Sequence, residues 1–577
     1  MLRRALIAVF VLGAFAAPPA ALAATAPTPL MPGVTSQREI QFTPHGPVVL
    51  HVLTGPRPGG LWGLSPALSD GSISGREQLT AIERRVSAGA TVAGVNGDYF
   101  NAGDGRPQSI LMQNGVLHSP ANDRRSSLGI GSDGTLHVDR IGFAGIWQGR
   151  GQRRPLSGLN QPAPPDGISL FTPAWGPATP ATPSALNAVV PVFPPSVPGA
   201  DMRGIVDTVV AAPSIAIPPR GAVLVARGAA ATRMLRELPA GSVLLSRVIL
   251  NPDWPGIVDA IGGGPVLVKS GRAVFRAFED FLPVQLGRRS PRTAVGQRAD
   301  GSIVLVTVDG DHPGYSSGLT NFELAQALQR LGVVTGMALE GGASTSMAFE
   351  GSLLNRPSDR GSERMISDAL LITYAGVYAP PPLVPVVSPN GDAVAERQTL
   401  AYKVVRRSVV TTKLVGPDGG TRLAQTGTKA PGTYTFPWAA TKPNGSVEPE
   451  GAWRWVVTGV DDLGRSSTAR QDFFLNNTLG FVRVTRAVAL RRGARVGVAA
   501  FKLLHPARVT VRVETKGGLR VRTLVNTRLG EGDKTVAWDG RDSRHRRVYG
   551  GRYVLRIAAT NEFGPVELTT PFTAKRR

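Results

Sequence analysis

One pattern recurs along the first two thirds of the chain: an apolar stripe at helical spacing, a short apolar run, then an abrupt polar turn. Its fullest instance begins at Leu319. Leu324, Leu328 and Leu331 share one helical face, Thr320 and Glu323 stand at capping-box spacing, and Gly332 occupies a C-cap position. This helix feeds a buried strand, about Val333 to Leu339, that ends in Glu340-Gly341-Gly342-Ala343-Ser344-Thr345. The succession repeats with Ser74 and Glu77 as capping box, Leu79, Ile82 and Val86 as stripe, Thr91 to Val95 as strand and Asn96-Gly97-Asp98-Tyr99-Phe100 as turn. A third apolar strand, Ile303 to Val308, runs into Asp309-Gly310-Asp311. Carboxylates, hydroxyls and glycines gathered at strand ends suit a polar, oxygen-rich ligand.

Other stretches lack this pattern and divide the chain. Residues 24–37, rich in Ala, Pro and Thr, predict a flexible leader, and the Pro/Ala-rich stretch 161–202 predicts an insertion in which the apolar Phe171 to Gly176 packs. Residues 377–385 contain Pro-Pro-Pro-Leu-Val-Pro, a stiff linker. Beyond it Trp438 and Trp538, Gly451 and Gly551, and Gly464 and Gly564 each differ by 100 in position, which predicts two β-sandwich modules, 386–478 and 479–577.

At 577 residues the chain has room for two to four domains. Met1-Leu2-Arg3-Arg4, the apolar run Ala5 to Ala17 and a small-residue site near Ala23 predict a signal peptide over residues 1–23, hence a secreted or cell-surface protein with no integral membrane segment after cleavage. The absence of cysteine excludes disulfides, thiolate metal sites and cysteine nucleophiles. Sixty-four basic against 41 acidic residues give a net charge of +23, which draws the chain to polyanions such as phosphate-bearing wall polymers. No common nucleic-acid-binding motif is present, so nucleic acid is not among the expected partners.

The turns Asn96 to Phe100, Gly262-Gly263-Gly264-Pro265, Arg292 to Gly296, Val308-Asp309-Gly310, Leu339 to Thr345, and Asn355-Arg356-Pro357 with Glu363-Arg364 stand in the same order as in the phosphodiester glycosidase family, which residues 38–376 resemble. Ser388 to Asp392, Trp538-Asp539-Gly540 and Gly550 to Tyr553 resemble Ig-like modules of flagellar hook-capping proteins. The implied fold is α+β: a mixed α/β glycosidase domain followed by two all-β Ig-like sandwiches. The implied activity is hydrolysis of a sugar-1-phosphodiester in a cell-wall or extracellular glycan. The family commonly carries Asp where this chain has Glu340, which places the charge one methylene further out.

Such a reaction needs a carboxylate to activate water or attack C1, cations for the phosphate, and donors for the sugar. Asp98, Asp309 and Glu340 are the candidate carboxylates, and Arg292 and Arg364 the phosphate clamps. Asn96, Thr293, Ser344, Thr345 and Asn355 would bind substrate, while Gly263, Gly264, Gly341 and Gly342 would let backbone approach it. No cofactor is expected. A rival reading is a metal-dependent phosphodiesterase with Asp309, Asp311 and His312 as hard oxygen and nitrogen ligands; another is a wall-binding surface protein without turnover.

Overall fold

The computed structural model describes residues 22–274, 278–359, 362–490 and 494–576. The expected signal peptide falls almost wholly outside them. The chain divides into two compact units, one ending at Tyr374 and one made chiefly of residues 375–577.

The first unit is built mainly of antiparallel sheet. Among the described residues its α-helices are Leu79–Val86, Gly228–Glu237, Pro283–Gly287 and Asn321–Arg330, so the expected mixed α/β domain is predominantly β. Its largest sheet places Val34–Thr43, Gly46–Gly55, Ile303–Val308, Arg292–Arg298, Val333–Leu339 and Val266–Lys269 side by side. All six residues of Ile303–Val308 are buried, as expected of a central strand covered on both faces. The Asn321–Arg330 helix lays Leu324, Ala327 and Leu328 over Val304, Val306 and Ala338. Its capping box forms: Thr320 Oγ1 accepts the Glu323 N–H at 3.2 Å, and Glu323 Oε2 accepts the Thr320 N–H at 2.9 Å. Gly332 follows at φ +81°, in the left-handed region expected beyond a helix end.

The other expected capping box does not form. The helix begins at Leu79, and Glu77 instead accepts the Asp70 N–H and pairs with Arg85. Glu363 takes over, its two oxygens accepting the Thr80 N–H and hydroxyl at 3.0 and 2.8 Å. That helix covers a second sheet ordered Met347–Phe349, Thr91–Asn96, Asp368–Tyr374 and Trp62–Leu68.

Two stretches expected to lack regular structure have it. Thr28–Met31 and Val34–Thr43 pair in the large sheet, because Met31 and Val34 are apolar enough to be buried within the predicted leader. In the Pro-rich insertion, Ile168–Phe171 and Leu186–Val190 flank Ala222–Ala226 in a sheet, and Trp175 packs edge-on against Phe171 at 5.2 Å. The prolines fall mostly in the connections, where a missing N–H breaks no ladder.

The second unit holds the two sandwiches. Trp438, Trp453, Trp455 and Phe473 fill the first core, and Trp538, Phe501 and Phe572 the second. The repeated tryptophans, Trp438 and Trp538, are thus core residues of their respective sandwiches.

Candidate active site

Three strand ends of the first unit meet at one place, and the side chain that ties them is Asn96. Its Nδ2 donates to the Glu340 carbonyl at 2.7 Å, while its Oδ1 accepts from the Thr293 hydroxyl at 2.7 Å and the Ser346 N–H at 3.1 Å. The Glu340 N–H returns to the Gly97 carbonyl at 3.0 Å. Asn96 and Thr293 are fully buried in this lattice, so these two side chains hold the turns together.

On that frame sit three carboxyls. Asp98 is buried, and its oxygens accept the Tyr99 and Ser109 N–H groups at 2.7 and 2.9 Å. Its own N–H donates to Asp368 Oδ1 at 2.7 Å, and Asp368 Oδ2 accepts the Ser367 hydroxyl at 2.6 Å. Burial, then the adjacent Asp368 charge, raise Asp98 well above the carboxylate range, and burial pushes Asp368 up to about 6. The two therefore do not both ionise readily. Gly97 permits this approach: a Cβ there would lie 1.9 Å from Asp368 Oδ1.

Glu340 is the third, pushed up to about 7 by burial, with Ser344 and Arg364 opposing and Asp368 reinforcing the shift. Its Oε2 is enclosed yet has no hydrogen-bond partner, and neither has Ser344 Oγ or Thr345 Oγ1. The Ser344 hydroxyl lies close enough to lower the Glu340 pKa without making a hydrogen bond of ordinary geometry. Buried polar atoms are almost always satisfied, so three orphans on one turn mark a place where something else bonds. Gly342, at φ +68°, adopts a conformation that a side chain would strain, and a Cβ there would meet nothing within 4 Å, so the turn opens on that side.

Two guanidiniums face this region. Arg364 is exposed, lies near enough to Glu340 to lower its pKa, and stands 5.5 Å from the Phe100 ring centroid. Arg292 is buried, and three of its N–H groups go to the carbonyls of Leu319, Gln285 and Arg288, leaving Nη1 uncommitted. Tyr99 lies near enough to Arg292 and Glu340 for both charges to act on its phenol, which burial holds protonated.

The remaining candidates are placed otherwise. Asp309 is buried with both oxygens committed: Oδ2 to His51 and Tyr315 at 3.0 Å each, Oδ1 to Asn355 Nδ2 and the Arg356 N–H at 3.1 Å each. Asn355 links this hub to the Glu340 turn, since its Nδ2 also reaches the Thr345 carbonyl at 3.2 Å and its Oδ1 accepts the Met347 N–H. Gly263 and Gly264 pack on Ala338 and Glu279, and Gly341 on the Pro291 carbonyl. Of the proposed metal ligands, Asp311 lies 4.0 Å from Arg288 and His312 bonds the Pro357 carbonyl. Among the described residues no three His, Asp or Glu side chains are grouped as a metal site. The residue that sequence reading missed is Asp368, which looks like the polar first position of an ordinary strand.

Residues 200–373 match the phosphodiester glycosidase family, and residues 489–562 match the FlgD Ig-like domain. The first match includes Arg292, Asp309, Glu340, Arg364 and Asp368, but not Asp98. Over 89 residues the chain is 40% identical to the uncharacterised SPbeta prophage-derived protein YomE of Bacillus subtilis, covering 15% of this chain and 14% of that protein. Over 117 residues it is 30% identical to the mouse N-acetylglucosamine-1-phosphodiester alpha-N-acetylglucosaminidase, covering 19% of this chain and 22% of that one. The chain thus spans less than a quarter of either relative's length. A solved structure of a hypothetical protein from Synechocystis is similar at a TM-score of 0.52 and 26% identity, covering 62% of this chain and 64% of its own.

Proposed function

We propose that the first unit hydrolyses a sugar-1-phosphodiester, with Glu340 as the group that takes the proton from water. The observation carrying this reading is the Glu340 carboxyl, which titrates near 7 and has an unpartnered enclosed oxygen beside two unpartnered hydroxyls. A base poised near the working pH combines a useful ionised fraction with useful proton affinity. As water adds to the anomeric carbon, its proton passes to Glu340. The C1–O bond breaks with its electron pair going to phosphate oxygen, which leaves as a phosphomonoester. Arg364 and the free Nη1 of Arg292 meet that anion. Asp98, held protonated beside Asp368, donates to a sugar oxygen, as do Ser344 and Thr345. A phosphate leaving group needs little help from a general acid.

The finer assignments are a bacterial-type exported protein and a wall or extracellular glycan as substrate. The amino-terminal sequence supports export, and among the described residues no helix is long and apolar enough to cross a membrane. The committed partners of Asp309 support chemistry without a divalent cation. The test is release of sugar from glycosyl-1-phosphodiesters by the wild type, by E340Q and by E340D, with and without a chelator. Turnover that persists in chelator and is lost in E340Q is expected. Full turnover in E340Q overturns the assignment.

A further inference from the structure

The charge of this chain is unevenly placed. Residues 479–577 hold 22 Lys and Arg against 7 Asp and Glu, whereas the sister module, 386–478, holds 11 against 8. Since the modules repeat one fold, each serves as a control for the other.

The difference is concentrated on one sheet face. In the second module Ala507–Thr515 is flanked by Arg520–Leu529 and Gly551–Asn561, with Val509, Val511 and Val513 turned into the core. The alternate positions face outward. There Arg508 stands directly opposite Arg528, and Arg512 directly opposite Arg556. Like charges directly opposed across a sheet are destabilising. Arg556 is neutralised by Glu514 and Glu567. Arg508, Arg512, Arg528 and Arg552, all exposed, have no side-chain partner among the described residues. In the first module the equivalent outward positions are Val409 opposite Thr428 and Val460, Thr411 opposite Thr426 and Thr458, and Lys413 opposite Ala424 and Val456. These positions of the sister face thus carry one cation, Lys413, and no like-charged pair, so the fold does not require opposed arginines and they answer some other requirement.

We infer that this outer face of the second module is a binding site for a linear phosphodiester polymer. Two adjacent strands put Arg508 and Arg528 roughly 5 Å apart, and four residues along one strand put Arg512 roughly 13 Å from Arg508. That spacing matches several anionic groups on one extended chain better than a single small anion. Guanidinium can bind phosphate oxygens bidentately, and among the described outward positions of these strands no aromatic ring interrupts the arginines on which a nucleobase would stack. Choosing phosphate polymer over other polyanions rests on the glycosidase reading of the first unit; the cationic face itself does not.

The full chain should bind poly(glycerol phosphate) with an affinity that falls steeply as salt rises. R508T/R512T/R528T, which replaces three of the unpartnered arginines by a neutral residue of good strand propensity, should weaken binding on the order of 30-fold or more at low salt and flatten the salt dependence by about two charges. Its turnover of a small soluble glycosyl-1-phosphodiester should equal wild type, so loss of binding is read separately from any failure of the hydrolase assignment. Unchanged affinity in the triple variant overturns the site. Equal or tighter binding of single-stranded DNA or polygalacturonate than of poly(glycerol phosphate) overturns the choice of polymer. A cooperative unfolding transition matching wild type shows that the variant is folded.

Discussion

Glu340 in the first unit and Arg508 in the last module are both charged groups left unneutralised by their surroundings, and they are held in opposite ways. Glu340 sits on a turn pinned by Asn96, with burial raising its pKa to about 7, so its charge is expensive and conditional. Arg508 stands on an exposed strand opposite another arginine, so its charge is permanent and merely crowded. The first arrangement suits a proton that must move. The second suits a counterion that must stay. Enclosed polar atoms create reactivity because desolvation makes each protonation state matter, whereas clustered solvated like charges create long-range attraction for an opposite charge.

This contrast can be tested at several strengths. The largest effect is expected for E340Q, which should lower kcat by about a thousandfold while leaving polymer binding intact; a binding defect of similar size would merge two regions that the structure keeps distinct in chemistry. G97A should come next. Its Cβ would collide with Asp368 Oδ1, costing about 3 kcal/mol or more of stability in the first unit, read as an earlier denaturant midpoint for that unit alone. The third expectation concerns pH. Folding raises Glu340 from 4.5 to about 7 and Asp368 from 3.8 to about 6, so across this window the folded chain binds more protons than the unfolded chain. Stability should therefore fall as pH rises from about 4.5 to 7, and kcat should rise along an acid limb near 7. E340Q should flatten the upper part of the stability curve. The smallest effect should come from transplanting the arginine pair: V409R/T428R should raise polymer affinity roughly fivefold. No gain there would mean that sheet position alone does not make the binding face.

The sequence disclosed local features well and distant partnerships poorly. Thr320, Glu323 and Gly332 were readable because a capping box and a C-cap are settled within a few residues. The turns bearing Asp98 and Glu340 were readable because apolar strands end there. Asp368 was not, since its role depends on meeting Gly97 and Asp98 from another strand. Glu363 was grouped with Arg364 as one motif, yet its side chain caps a helix whose own Ser74 and Glu77 fail to do so. Asp309 had the composition of a reactive carboxylate, but only the fold shows four donors already on its oxygens. The excess of arginine was visible as a total. Its alignment as Arg508 against Arg528 required the strand register, which composition does not carry.

The bond from the Asp98 N–H to Asp368 spans 270 positions of chain. During synthesis, everything that shapes Asp98 except this acceptor is made long before the residue that completes it. A growing chain therefore carries this acid pair half assembled until the strand beginning at Asp368 docks.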